Sequence, residues 1–152
     1  MRKAFSMITA IFVIVLMSAV AAFIANLSSK MTQETTAQYQ REQASLLTKS
    51  YTEYAIMAVT ANEHNISTCL NDIDGTWNGY NVDVNISYIG NGLSLANGGL
   101  HSNCRIINNT VTNDDSPLNI IVDVFVRYKN PDHPLGATAP DITYHRRSLQ
   151  KI

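Results

Sequence analysis

The run from Phe5 to Leu27, FSMITAIFVIVLMSAVAAFIANL, carries no charge, no proline and no glycine. A helix rises about 1.5 Å per residue, so roughly 20 apolar residues cross the hydrocarbon core of a bilayer. The run is therefore long enough to span a membrane as one helix. Arg2 and Lys3 stand at its N-terminal end and only Lys30 is near the other. Under the positive-inside rule this asymmetry keeps the N-terminus cytoplasmic and puts the bulk of the chain outside.

What precedes the run is short: Met1, Arg2, Lys3 and Ala4. An ordinary secretory signal places its small-residue cleavage site after a 7–15-residue apolar region. Here the only abrupt boundary lies before the apolar region, so a cut after Ala4 leaves the helix on the mature chain. After Leu27 the sequence SSKMTQETTAQYQREQ turns polar without glycine or proline, and nothing in it breaks a helix. From Ala44 a stripe at helical spacing appears (Ala44, Leu47, Tyr51, Tyr54, Ala55, Ala58), while Gln43, Lys49, Ser50 and Glu53 fall elsewhere. This predicts one helix from Phe5 to about Asn62 whose last half packs on a domain.

A basic leader ending in a small residue, then Phe5 and an apolar helix that runs on into a polar one, resembles the N-terminus of type IV pilins and type II secretion pseudopilins. The resemblance covers about the first third of the chain. It implies cleavage by a membrane-bound prepilin peptidase between Ala4 and Phe5, and N-methylation of Phe5. The family's commonest leader residue is glycine, with alanine tolerated, so Ala4 departs mildly from the pattern. Thr9 departs more. The family usually has glutamate at this fifth mature position, pairing with the N-terminal amine of a neighbouring subunit; in lipid each of two such ions is costly without the other. Threonine cannot form that pair. In the family the tip-proximal minor pseudopilin commonly lacks the acid, so the resemblance implies a minor, initiating or tip subunit. The same resemblance implies partners: other pilins or pseudopilins, the prepilin peptidase, the inner-membrane assembly platform and the membrane itself.

The exported remainder is large enough for one small domain. A formal net charge of −1 gives no electrostatic case for nucleic acid. Cys69 and Cys104 both lie in the exported part, where a pair reads as one disulfide; free thiols are the alternative, and zinc has no second Cys or His at ligand spacing beside either one.

Along this part, Asn71-Asp72-Ile73-Asp74-Gly75 reads as a turn. Its D-x-D-G fragment hints at calcium but lacks the further oxygen ligands and the downstream glutamate of a calcium loop. Tyr80 to Ile89 alternates, with Val82, Val84, Ile86 and Tyr88 on one face and Asp83, Asn85 and Ser87 on the other, a half-buried strand. Gly90-Asn91-Gly92 and Asn97-Gly98-Gly99 bracket a loop without the third glycine of a dinucleotide fingerprint. Cys104 to Ile107 is a short strand. Leu118, Ile120, Val122, Val124, Val126 and Tyr128 share one face of the clearest strand, and Ile121 and Phe125 on its other face suggest a central position. Asn130-Pro131 ends it, and Pro134, Gly136 and Pro140 keep the next stretch irregular. Ile142 to Leu149 offers a last strand.

A long helix followed by strands on short turns implies an α+β fold: a membrane-spanning first half, and a second half packed against a small antiparallel sheet, as in pilin-like subunits. The expected organisation is a leader at 1–4, a transmembrane and assembly helix at 5–29, its polar to amphipathic continuation at 30–62, and a globular β domain at 63–152.

No phosphate loop, zinc-protease motif or nucleophile elbow is present in the sequence, and His64, His101, His133 and His145 are scattered over different elements. Asp141 and His145 share a strand face without a nucleophile beside them, and Arg146 and Arg147 read as surface charges. No enzyme, cofactor or metal site is expected. Two N-x-[ST] sites with an acid two residues upstream, at Asn65 and Asn85, resemble the acceptor of bacterial N-glycosylation systems. The expected function is that of a non-enzymatic minor pilin or pseudopilin in the inner membrane, single-pass, with its C-terminal domain periplasmic or in an extracellular filament. The alternative is a membrane-anchored periplasmic binding or sensor domain that does not polymerise.

Overall fold

The computed structural model describes residues 2–62, 69–90, 104–108, 110–111 and 118–152, with side chains from Met7 onward. Asn65, Glu63, His64 and His101 lie outside the described residues, as does most of the glycine-rich loop after Gly90. The chain is α+β: one helix, α1 (Arg2–Ala61), and a five-stranded sheet. The strands are β1 (Asp72–Trp77), β2 (Tyr80–Ile89), β3 (Ile106–Asn108), β4 (Asn119–Tyr128) and β5 (Ile142–Lys151), with a short 3-10 turn at Gly136–Thr138.

Two compact units divide the chain, Met1–Gln40 and Arg41–Ile152. The first is helix alone, and its apolar side chains from Met7 to Met31 are exposed all round. Thr32, Thr35 and Thr36 donate their hydroxyls to the carbonyls of Ser28, Met31 and Thr32 one turn back. This local bonding satisfies hydroxyls that have no packed neighbour.

In the second unit the last turns of α1 lie on one face of the sheet. The fully buried positions are Ala44, Thr48, Thr52, Ala55 and Val59, a stripe at i, i+4, i+8, i+11 and i+15. This corrects the expected tyrosine stripe, since Tyr54 is exposed and Tyr51 only half buried. The two threonines belong to the core because their hydroxyls are bonded within the helix, Thr48 to the Ala44 carbonyl at 2.6 Å and Thr52 to the Thr48 carbonyl at 2.7 Å. Only their methyl groups then face the sheet, and the small stripe lets helix and sheet approach closely.

The sheet order is β1-β2-β4-β5, antiparallel throughout, so β4 is central as its two apolar faces predict. Val82, Val84, Ile86 and Tyr88 from β2 and Ile120, Val122, Val124 and Val126 from β4 are buried against the helix. Burying each such side chain is worth roughly 1.5–3 kcal/mol.

Two local readings need correction. Residues 72–75 are not a turn but the first four residues of β1, which pairs with β2 from Asp72↔Asn85 to Trp77↔Tyr80. The turn is at Asn78-Gly79, where both residues have positive φ, 46° and 83°. A two-residue turn with both φ positive matches the strand twist, and asparagine-glycine is the pair that tolerates it. Gly75 therefore serves packing rather than turning: a Cβ there would stand 2.1 Å from the Tyr51 hydroxyl, so the bare backbone makes room for a ring from the helix. The second correction concerns β3, which begins two residues later than expected and pairs with β2 in parallel, Tyr88 opposite Ile106.

Candidate functional site

Three features of the chain carry chemistry beyond core packing. The first is the N-terminal helix. Its backbone is helical from Arg2 through Ala4 and Phe5, so the proposed cut lies within a continuous helix, and Thr9 is exposed on it. This helix is long and apolar enough to cross a membrane.

The second is a junction on one edge of the sheet. β1 runs antiparallel to β2 and β3 parallel to it, so both leave from the middle of the β2 edge and run apart. The β2 edge passes from one segment to the other within two residues: the Ile86 amide donates to the Asn71 carbonyl at 2.7 Å, and the Tyr88 amide to the Arg105 carbonyl at 2.9 Å. Cys69 and Cys104, just before the two strands, are joined as a disulfide with Cα atoms 5.2 Å apart. Arg105 adds two bonds, its amide to Asn71 Oδ1 and its guanidinium to Asp72 Oδ1, both at 2.9 Å. Tyr88 donates its hydroxyl to the Leu70 carbonyl at 2.7 Å. Burial pushes the Tyr88 hydroxyl above the usual tyrosine range, which keeps it a neutral donor. The disulfide expected from sequence is thus the centre of a clamp whose other members, Asn71, Arg105 and Tyr88, carry no local signal of the role.

The third is the sheet face turned away from the helix. Asp123 is an acid set within the apolar run of β4, 8 % exposed. Arg147 grips it with both oxygens engaged, Nε to Oδ1 at 2.7 Å and Nη2 to Oδ2 at 2.9 Å, and His145 Nε2 lies 2.9 Å from Oδ1. The His145 ring is stacked on Phe125, 4.3 Å between centroids and 9° from parallel. Arg127 pairs with Asp83 on the same face. His145 is therefore bonded to Asp123 across the strand pair rather than to Asp141 along its own strand. Arg146 and Arg147 are both exposed surface charges, as expected; Arg147 in addition pairs with Asp123, while Arg146 lies on the helix side. Asp123 is not among the residues expected from sequence; an acid isolated within an apolar strand is the signal that could have found it, but its partners lie on another strand, where periodicity does not reach.

The guanidinium of Arg147 holds the Asp123 carboxyl below the usual carboxylate range; burial opposes this and the bond to His145 adds to it. A depressed folded pKa contributes stability that is present above the unfolded value of about 3.9 and is lost as pH falls through the folded value. We expect Asp123→Asn to cost about 1–2 kcal/mol at pH 7, a modest loss because the freed Arg147 and His145 are partly exposed and can hydrate. The difference from the native chain should shrink below about pH 4. Chemical denaturation at pH 7 and pH 3 checks both; a difference that does not change with pH would contradict the ion-pair account.

Asn85 sits on this face, half buried in the middle of β2 between Asp72 and Asp123, and Ser87 of its acceptor site is buried. A strand paired on both sides cannot bend into a modifying enzyme, so any glycan at Asn85 would have to be attached before folding. Compared with known proteins, the chain matches no family model, no curated protein and no solved structure.

Proposed function

We propose that this protein is a structural subunit of a pilus-like or type II secretion-like filament. A prepilin peptidase cuts it between Ala4 and Phe5, and its apolar helix packs laterally against those of other subunits as they leave the inner membrane. The observation that carries this reading is the N-terminal pattern: a two-cation leader, a small residue, and an apolar helix that continues without a break to Ala61 and ends on a sheet. An apolar helix whose described side chains from Met7 to Met31 are exposed is suited to lipid or to other helices around it. In lipid, helix association gains from close packing rather than from a hydrophobic force, which suits a helix exchanged from bilayer to bundle.

Mass spectrometry of the N-terminus of the purified protein tests the reading. A mature chain beginning at N-methylated Phe5 is expected; an intact Met1 refutes it. Thr9 favours a tip or initiating subunit over a shaft subunit, since a chain without the acid loses least where no earlier neighbour offers an amine. Labelled filaments should carry few copies, at one end, and copies distributed along the shaft would refute that placement. Thr9 is also the observation that favours the second reading, a membrane-anchored periplasmic binding or sensor domain, which predicts no filament incorporation at all.

A further inference from the structure

The two outer edges of the sheet are complementary in charge, direction and register. β1, DIDGTW, carries two acids and no cation; β5, ITYHRRSLQK, carries Arg146, Arg147 and Lys151 and no acid. Among the described residues, β1 pairs only with β2 and β5 only with β4, so both strands leave backbone groups unpaired on their far sides. An open edge is a template for another strand, and proteins usually guard it with charge. Two β5 edges brought together would oppose arginine to arginine. A β5 edge meeting a β1 edge would not.

Direction agrees. Because every step from β1 to β2 to β4 to β5 is antiparallel, β1 and β5 run in opposite senses. Two copies placed side by side in the same orientation would bring β5 of one against β1 of the next as an antiparallel pair, with both outer faces on the same side. Register agrees as well. Following the pairing rows across the sheet, Asp72 is level with Arg147, Asp74 with His145, Thr76 with Thr143, Gly75 with Tyr144 and Trp77 with Ile142. If a neighbouring copy continues these rows, each β1 residue meets the β5 residue level with it. The outer face then holds Asp72 against Arg147 and Asp74 against His145. The helix-side face holds Trp77, 50 % exposed, against Ile142, 42 % exposed. Opposite charges, threonine pairs and aromatic–β-branched pairs directly opposite each other are the combinations that stabilise antiparallel sheets, by roughly 0.2–1 kcal/mol each.

We infer that copies of this chain associate side by side through β5 of one and β1 of the next, extending the sheet from copy to copy in this register. The contact is heterologous: it uses different surfaces of the two partners and leaves a free β1 and a free β5 at the ends, so it propagates into a row rather than closing a dimer. It also lengthens the ion-pair network, because Asp72 is already held by Arg105 and Arg147 by Asp123 within each copy. For its setting the inference rests on the filament reading, in which copies stand with their helices parallel, and not on the tip placement, which limits the row to the few copies at one end.

Two single-cysteine variants of the full chain, Thr76→Cys and Thr143→Cys, test it in membranes. Both threonines are exposed, and directly opposed residues on antiparallel strands lie about 4.5–5.5 Å apart between Cα atoms, within reach of a disulfide. Co-expressed and oxidised, the two variants should give a crosslinked dimer whose joined peptides contain positions 76 and 143, with Cys69–Cys104 retained. Either variant alone should give little. Adding Asp74→Lys to the Thr76→Cys chain should lower the yield by about threefold or more, as a repulsive contact replaces an attractive one. Crosslinking of Thr143→Cys with itself at equal yield, or no crosslink in the mixture, overturns the inference. The two readings fail separately: a chain that retains Met1 but crosslinks sinks the processing, and a chain that starts at methylated Phe5 but does not crosslink sinks this contact.

Discussion

Replacing Cys69 and Cys104 together by alanine is expected to lower stability by about 3–4 kcal/mol, the chain-entropy cost of opening a loop of this size. The bridge spans 35 positions of sequence and joins the points from which β1 and β3 diverge. Without it, β3 is held, among the described residues, by its short parallel pairing with β2, by Arg105 and by the packing of Ile106 on the core, and it should be the first element to open. Thermal unfolding checks the magnitude: for a domain of this size the midpoint should fall by more than about 10 °C. Alkylation checks the bond itself, since neither cysteine of the native chain should react without reductant and both should react with it. A double variant that melts within about 2 °C of the native chain would mean that Arg105, Asn71 and Tyr88 hold the junction unaided.

The elements legible in the sequence were those whose pattern is local. β2 falls at Tyr80–Ile89 and β4 at Asn119–Tyr128, where alternation of apolar and polar residues predicts them, and the apolar second face of β4 marks it as central. The helix was legible from its uninterrupted run without glycine or proline. What local pattern did not carry depends on partners distant in sequence. β1 has the composition of a turn, two aspartates and a glycine in six residues, and is a strand because Asn78-Gly79 folds it back onto β2. β3 was expected as a short strand, but its bounds and its parallel direction are set by pairing with Tyr88 and Ile89. Thr48 and Thr52 look polar until their hydroxyls bond within the helix, after which they count as methyl groups. At the ion-pair cluster, Asp123 went unread in the sequence, and its partners are set by the β4–β5 register, which places Arg147 opposite Asp123 and His145 opposite Phe125. Residue types told which groups could bond; register decided which did.

Phe5→Asp and Ala4→Leu are each expected to leave the chain uncut and out of any filament, the largest functional effect that single substitutions should have here. The boundary between Ala4 and Phe5 joins a basic leader to an apolar run, and a peptidase at the membrane surface has two features to read: a small residue on the leader side and an apolar one on the helix side. Leucine at position 4 removes the first by adding bulk where the backbone must enter an active site. It also lengthens the apolar run by one residue and moves the boundary toward Lys3. Aspartate at position 5 removes the second, and an acid in the membrane costs roughly 2.5–3.5 kcal/mol at the helix centre and less near the end, where it can reach the interface. The span itself should therefore survive, held by the apolar residues from Met7 to Leu27, and the variant should accumulate in the membrane fraction with Met1 in place. That separation is what makes the measurement informative: fractionation reports whether the helix still anchors the chain, and the N-terminal mass reports whether it was cut. Phe5→Leu serves as the control, because it keeps the apolar side of the boundary and should be processed. Normal cutting and assembly of Phe5→Asp and Ala4→Leu would show that this boundary is not a recognition site, and with it the filament reading would fall.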